Sequence, residues 1–235
     1  MTSTAAQQHS ESGLPADPAG LRLTVTSECW PGGPGGRGPE ECSLLVRHEQ
    51  LQAGQHPSRI ALGTRLDSVG RVGMLRVPLR RGVISPNDFD YLSGRAGESA
   101  LEQEVRTAAA EQLFTRRDGQ RRLVPEVRSS LERGPRTDLG DLLLLDDLSV
   151  SEEWAVQDFD LLLLGEAVAR SAAEGLCFLA AVPSLMRSSP NRALGVLRRA
   201  GFRPAVGPVM VSASSVPRLA GRGEQVRNWG FRTLP

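Results

Sequence analysis

Two adjacent carboxylates, Asp146 and Asp147, close an apolar run in "DLLLLDDLSV", and two more, Asp158 and Asp160, follow in "SEEWAVQDFDLLLL". The second stretch lies between a run that reads as a strand and one that reads as a helix. Backbone N–H groups at such a helix N-terminus can hold a phosphate. Aspartates at the same place do the opposite, capping the N–H groups and complementing the positive end of the helix dipole. The residues therefore pose a question: does this turn bind the phosphates of a cofactor, or is it closed to them? Other chemistry-bearing residues are scarce. His9, His48 and His56 all lie in the first quarter of the chain, so a histidine-based metal site or catalytic triad lacks partners. Cys29, Cys42 and Cys177 are too scattered for a zinc knuckle or a disulfide framework. Cys29 and Cys42 flank a Gly/Pro loop and can pair only if that loop folds back; reduced thiols are the preferred reading.

The elements that must position these carboxylates begin after a small, polar, proline-bearing segment over residues 1–20, read as a disordered tail. "LRLTVTSEC" alternates as a strand with Leu21, Leu23 and Val25 on one face. Residues 30–41, rich in glycine and proline, form a loop. "CSLLVRHEQ" is a strand, and residues 58–79 read as two strands joined by a turn near residues 67–70, completing an antiparallel meander. "SPNDFDYLSG" predicts a short helix with Pro86 in its first turn. Residues 99–114 predict a longer one, with Ser99 and Glu102 as a capping box and Leu101, Val105, Ala108 or Ala109, and Leu113 as its inward stripe. Residues 115–140 are charged and interrupted, which predicts loop with one short helix; Arg116, Arg117, Arg121 and Arg122 there are read as solvated charge in preference to a phosphate contact.

From Asp141 the pattern is strand, helix, strand, helix, strand. The runs are "DLLLLDDLSV", "DFDLLLLGEAVARSAAEG", "LCFLAAVPSL", "SPNRALGVLRRAGF" and "PVMVSASS", and short connections imply a parallel pair at the start. The fold class is thus α/β (α+β), a mixed central sheet with an antiparallel N-terminal meander. A single domain over residues 21–235 carries a helical insertion at about 85–137.

Composition and charge bound the function classes. With 40% apolar and 23% charged residues the chain is that of a soluble globular protein. Its apolar runs fall short of a membrane span, and its polar start lacks a signal peptide's apolar core, so it reads as cytoplasmic. All basic residues are arginine. Residues 138–174 hold ten carboxylates and one arginine, whereas residues 175–235 hold nine arginines and one carboxylate, Glu224. Segments of opposite charge this close are expected to face each other. That pairing is preferred to nucleic-acid binding by the arginines of 187–232 with Trp229 and Phe231.

"LLLLDDLSVSEEW", "LLLLGEAVARSAAEGL", "CFLAAVPSL" and "ALGVLRRAGF" with "PVMVSA" resemble, in order, the C-terminal half of the GNAT acyltransferase superfamily, over residues 141–213. The resemblance implies a GNAT-like sheet, an acyl-coenzyme A cofactor such as acetyl-coenzyme A, and N-acyl transfer. It implies that the backbone of Leu148 to Val150 would bond the pantetheine arm. It also implies that the turn Ala155, Val156, Gln157, Asp158, Phe159 and Asp160 would hold the pyrophosphate. The family pattern there is Arg or Gln, two residues, Gly, one residue, then Gly or Ala; here it falls on Ala155, Asp158 and Asp160, and all three depart. Unit charges about 4 Å apart interact by roughly 1 kcal/mol in water and about 4 at an effective dielectric of 20, so two aspartates oppose a polyanion strongly. A tyrosine that many members place four residues before the glycine of "GF" is Leu197 here; the chain's one tyrosine is Tyr91. Asp146 or Asp147 stands where members place a general base. The competing reading is that one of them ends the buried run and pairs with Arg198, Arg199 or Arg203, the two pointing to opposite faces of the strand.

The preferred expectation is a degenerate acyltransferase acting as a binding or structural module, with no cofactor or metal and with a protein partner or a second copy of the chain as its ligand. An active acyl-coenzyme A-dependent N-acyltransferase is the alternative.

Overall fold

The computed structural model describes residues 21–29, 38–52, 63–94, 98–132, 140–155, 158–171, 177–183, 186, 190–207, 209–212, 219, 221–222 and 232–233. The tail over residues 1–20, most of the Gly/Pro loop, and Val156 and Gln157 lie outside them.

The meander comprises β1 (Leu21–Cys29), β2 (Glu40–Gln52) and β3 (Gly63–Val77). β3 is one long strand, not two. The turn expected near residues 67–70 is instead a bulge, where β2 residues Val46 and Arg47 face Gly70 and Ser68 and leave Val69 as the extra residue. Gly70 reads as a breaker in sequence, but its role is close approach. A Cβ there would lie 2.9 Å from both Leu163 Cδ1 and the Ser149 carbonyl. Leu21 and Leu23 are buried as expected, whereas Val25 is 39% exposed and outside the core.

After β4 (Val83–Ile84) come α1 (Pro86–Ser93) and α2 (Ala100–Leu113). α2 starts on its predicted capping box of Ser99 and Glu102, and α1 has Pro86 in its first turn as expected, with a cap the sequence reading did not single out: Ser85 Oγ accepts from the Asp88 N–H. The inward stripe of α2 differs from the expected one. Leu101 is 70% exposed, and Arg106 is buried with Ala109, Ala110 and Leu113. The segment expected to be loop with one short helix does carry that helix, α3 (Pro125–Glu132), but before it forms a hairpin, β5 (Phe114–Arg117) and β6 (Gln120–Leu123). Asp118 and Gly119 both take positive φ in its two-residue turn, the pairing an Asp-Gly sequence favours. β4, β6 and β5 make a small second sheet.

The C-terminal half contains β7 (Asp141–Val150), α4 (Phe159–Ser171), β8 (Cys177–Ala181), α5 (Pro190–Arg199), β9 (Arg203–Val206), β10 (Val209–Ser212) and β11 (Arg232–Thr233). The main sheet runs β11-β1-β2-β3-β7-β8-β10-β9 and is mixed, with β7 parallel to β8 and β11 parallel to β1. α4 and α5 pack on one face around Leu143, Leu145, Leu163 and Leu197. α1, α2 and α3 with the β5–β6 hairpin pack on the other around Leu142, Leu144, Phe89 and Leu113. β7 is buried on both faces, each of its five leucines contributing about 1.5–3 kcal/mol of apolar burial. Among the described residues no helix is long and apolar enough to cross a membrane.

Candidate functional site

The strand-to-helix turn is built by three anchors. Trp154, in a 3-10 turn (Glu152–Trp154), is buried between His48 and Phe159, with ring centroids 5.4 Å from each. The Ala155 N–H donates to the Glu152 carbonyl at 3.2 Å, and Ala155 itself is exposed. Asp158 then opens α4, its carbonyl accepting the Leu162 N–H at 3.0 Å. Asp158 has φ of 61°, a left-handed conformation that favours glycine and that aspartate tolerates.

Asp160 is buried, and its Oδ1 accepts the Leu161 N–H at 2.8 Å, so a carboxylate already occupies the helix N-terminus. α5 supplies the counter-charge. Its end is closed by Gly201, at φ of 94°, and the Phe202 N–H donates back to Leu197, which holds Arg199 at the helix C-terminus. Arg199 Nη1 lies 2.7 Å from Asp158 Oδ1, and Nη2 lies 3.3 Å from Asp160 Oδ2. One guanidinium therefore spans both aspartates. This is the predicted meeting of acidic and basic segments, with Asp158 and Asp160 as the acids in place of Asp146 and Asp147.

Those two carboxylates lie on the far face of the sheet. In the β3–β7 ladder Gly73 faces Asp147 and Met74 faces Leu145, so Asp146 is an extra, bulged residue. The bulge reverses the alternation of β7. Leu148 rejoins Leu143 and Leu145 in the core under α4, and Asp146 and Asp147 both turn to the opposite side. The expectation that they face apart is thus corrected: strict two-residue alternation fails where one residue is inserted. Gly73 makes room for them, since a Cβ there would lie 2.9 Å from Asp146 Oδ1 and 3.0 Å from Asp147 Cβ.

Both aspartates line a cleft of about 440 Å³ between the meander and α2. Asp146 Oδ2 lies 3.4 Å from Arg106 Nη2, which also lies 2.7 Å from Glu98 Oε1; Asp147 Oδ2 lies 3.4 Å from Arg71 Nε. The arginines these two aspartates meet are thus Arg106 and Arg71, in place of the expected Arg198, Arg199 or Arg203; Arg199 is engaged by Asp158 and Asp160 instead. Glu28, Glu41 and Glu102 also line the cleft, which makes six carboxylates against two arginines. Tyr91 stands at its side, donating from its hydroxyl to Glu41 Oε1 at 2.5 Å. A cleft of this charge favours cations. Arg71, Arg106 and Glu98 were not legible as site residues; their only signal was charge placed on otherwise apolar or alternating elements.

β7 keeps an open stretch. Its parallel ladder with β8 ends at Leu145 opposite Ala181, and residues 147–150 continue paired to β3 alone among the described residues. Leu148 and Val150 lie in this stretch. Cys42 faces Ser27 and Cys29 faces Glu40, so the two cysteines are out of register, and Cys42 is a free thiol. Burial, with smaller effects from its neighbours, pushes that thiol up from its ordinary value. Among the described residues no group of three or more His, Cys, Asp or Glu is placed to hold a metal.

No family model matches the chain, and no curated protein matches it either. Among solved structures, it is similar to the crystal structure of a KacT mutant, at 12% identity and a TM-score of 0.36, over 93% of this chain and 82% of that one.

Proposed function

We propose that the chain is a GNAT-like protein whose acyl-coenzyme A turn is closed by its own side chains, and which works as a binding module. The observation that carries this reading is the Asp160 carboxylate on the N–H of Leu161, with Arg199 forked across Asp158 and Asp160. A pyrophosphate at this turn would have to displace an internal anion already satisfied by a helix N-terminus and an arginine. The φ of 61° at Asp158 supports descent from a glycine-bearing turn, because the backbone retains a conformation glycine prefers. The acidic cleft at Asp146 and Asp147 is then the surface the module offers to a cationic group of a protein partner.

A second reading, an active N-acyltransferase, is favoured by a different observation. The bulge places two carboxylates in one cleft beside the open edge of β7, where a general base and an acyl carrier would meet.

Calorimetric titration with acetyl-coenzyme A separates the two. The module reading expects no binding at micromolar concentrations and no thermal shift. A bound cofactor at 100 times its Kd would instead stabilise by about 2.7 kcal/mol. Asp158→Gly with Asp160→Gly frees the N-terminus and Arg199 together, and is expected to create measurable affinity. Micromolar binding by the unaltered protein would overturn the closed-turn reading.

A further inference from the structure

A second cleft, of about 700 Å³, lies between the β5–β6 hairpin and the segment that leads into α1. It shares no residue with the turn or the acidic cleft. Its volume falls in the range of small-molecule sites, and apolar walls from Pro78, Val83 and Pro86 surround a few polar groups, as in such sites.

The hairpin register puts Arg116 directly opposite Arg121, and both line this cleft. Like charges directly opposite on antiparallel strands repel. Among the described residues Arg116 has no carboxylate within ion-pair distance. Arg121 is held in place: its guanidinium carbon sits 3.5 Å above the Phe89 ring, and Phe89 is itself fixed edge-on to Phe114 at 6.1 Å. A cation–π contact of this kind makes no use of the guanidinium's N–H donors, the fork that receives an oxyanion. α1 begins at the same cleft with Pro86 and Asn87, and the Asn87 N–H has no intrahelical carbonyl to accept it. Opposing charges are present but outnumbered. Asp88 stands in the first turn of α1, where it complements the dipole, and Asp90 is exposed, against Arg80, Arg116 and Arg121.

We propose that this cleft binds a small organic oxyanion, a carboxylate or phosphate ester on an apolar body, with the anionic group between Arg116 and Arg121 and the body against Pro78 and Val83.

Calorimetry on the full chain at low salt, with phenyl phosphate, benzoate and inorganic phosphate as probes, tests this. The expected result is saturable one-to-one binding of an aryl anion with Kd below about 1 mM, about tenfold tighter than inorganic phosphate. The tighter of the two aryl probes identifies the preferred anion. Arg116→Gln should weaken binding about tenfold. Arg116 is exposed, so this variant should fold, and without ligand its Tm should equal or exceed that of the unaltered protein because the like-charge pair is gone. Absence of saturable binding of either aryl probe up to about 10 mM, or binding indifferent to Arg116→Gln, would overturn the proposal. So would a lower Tm for the unliganded variant.

Discussion

Arg106→Met would remove the one buried cation between Glu98 and Asp146 while keeping the apolar stem. The side chains of Arg106, Glu98 and Asp146 are 6%, 15% and 8% exposed, so the loss leaves two carboxylates largely out of water. Breaking a buried pair by deleting one partner costs about 3–5 kcal/mol. Two features move the expectation to the low end: Arg106 Nη1 has no hydrogen-bond partner in the native site, and Glu98 borders a cleft of about 440 Å³. A loss of about 3 kcal/mol lowers Tm by roughly 6–12 °C in a domain of this size. Urea unfolding measures it as a fall in midpoint at constant slope. Adding Glu98→Gln and Asp146→Asn to Arg106→Met should restore stability to within about 1 kcal/mol, because neutral groups no longer need the arginine. A single-variant loss below about 1 kcal/mol, the value of a solvated surface pair, would refute the argument. So would a triple variant no more stable than the single one.

Two further outcomes follow from the same cleft. Gly73→Ala sets a Cβ against Asp146 Oδ1 and the rigid Asp147 Cβ, and is expected to lower stability by about 1–3 kcal/mol in urea unfolding, as overpacking does. Cys42 should be alkylated by iodoacetamide more slowly than an unfolded control, with its rate rising only above the ordinary thiol range, as read by peptide mass spectrometry across pH. Its folded pKa is raised by burial, so the stability it contributes is full below the unfolded pKa and falls as pH rises through the folded one. An alkylation profile that matches the unfolded control would contradict that burial.

Local signals were enough where an element's caps and period agree. The capping box of Ser99 and Glu102, Pro86 at the start of α1 and Gly201 after α5 mark helix ends through backbone chemistry that needs no tertiary partner. The Asp118–Gly119 turn carries a local signal of the same kind, but the hairpin was missed because its arginine-rich strands lack an apolar alternation and read as loop. Residues 67–70 show the opposite error, where a glycine that admits Leu163 was read as a turn.

The sequence by itself determined the strand-helix-strand-helix order from Asp141 and its closing strand β10, though not the short β9 before it, and the presence of aspartates at a helix start, because apolar runs, caps and short connections act within a few residues. Tertiary structure alone decided what those carboxylates do. Arg199 reaches Asp158 and Asp160 only because α5 ends beside the start of α4, some forty residues apart in the chain. Asp146 and Asp147 share one face only because β7 carries a bulge opposite Gly73, and a strand buried on both sides has no alternation in sequence to reveal a shift of phase.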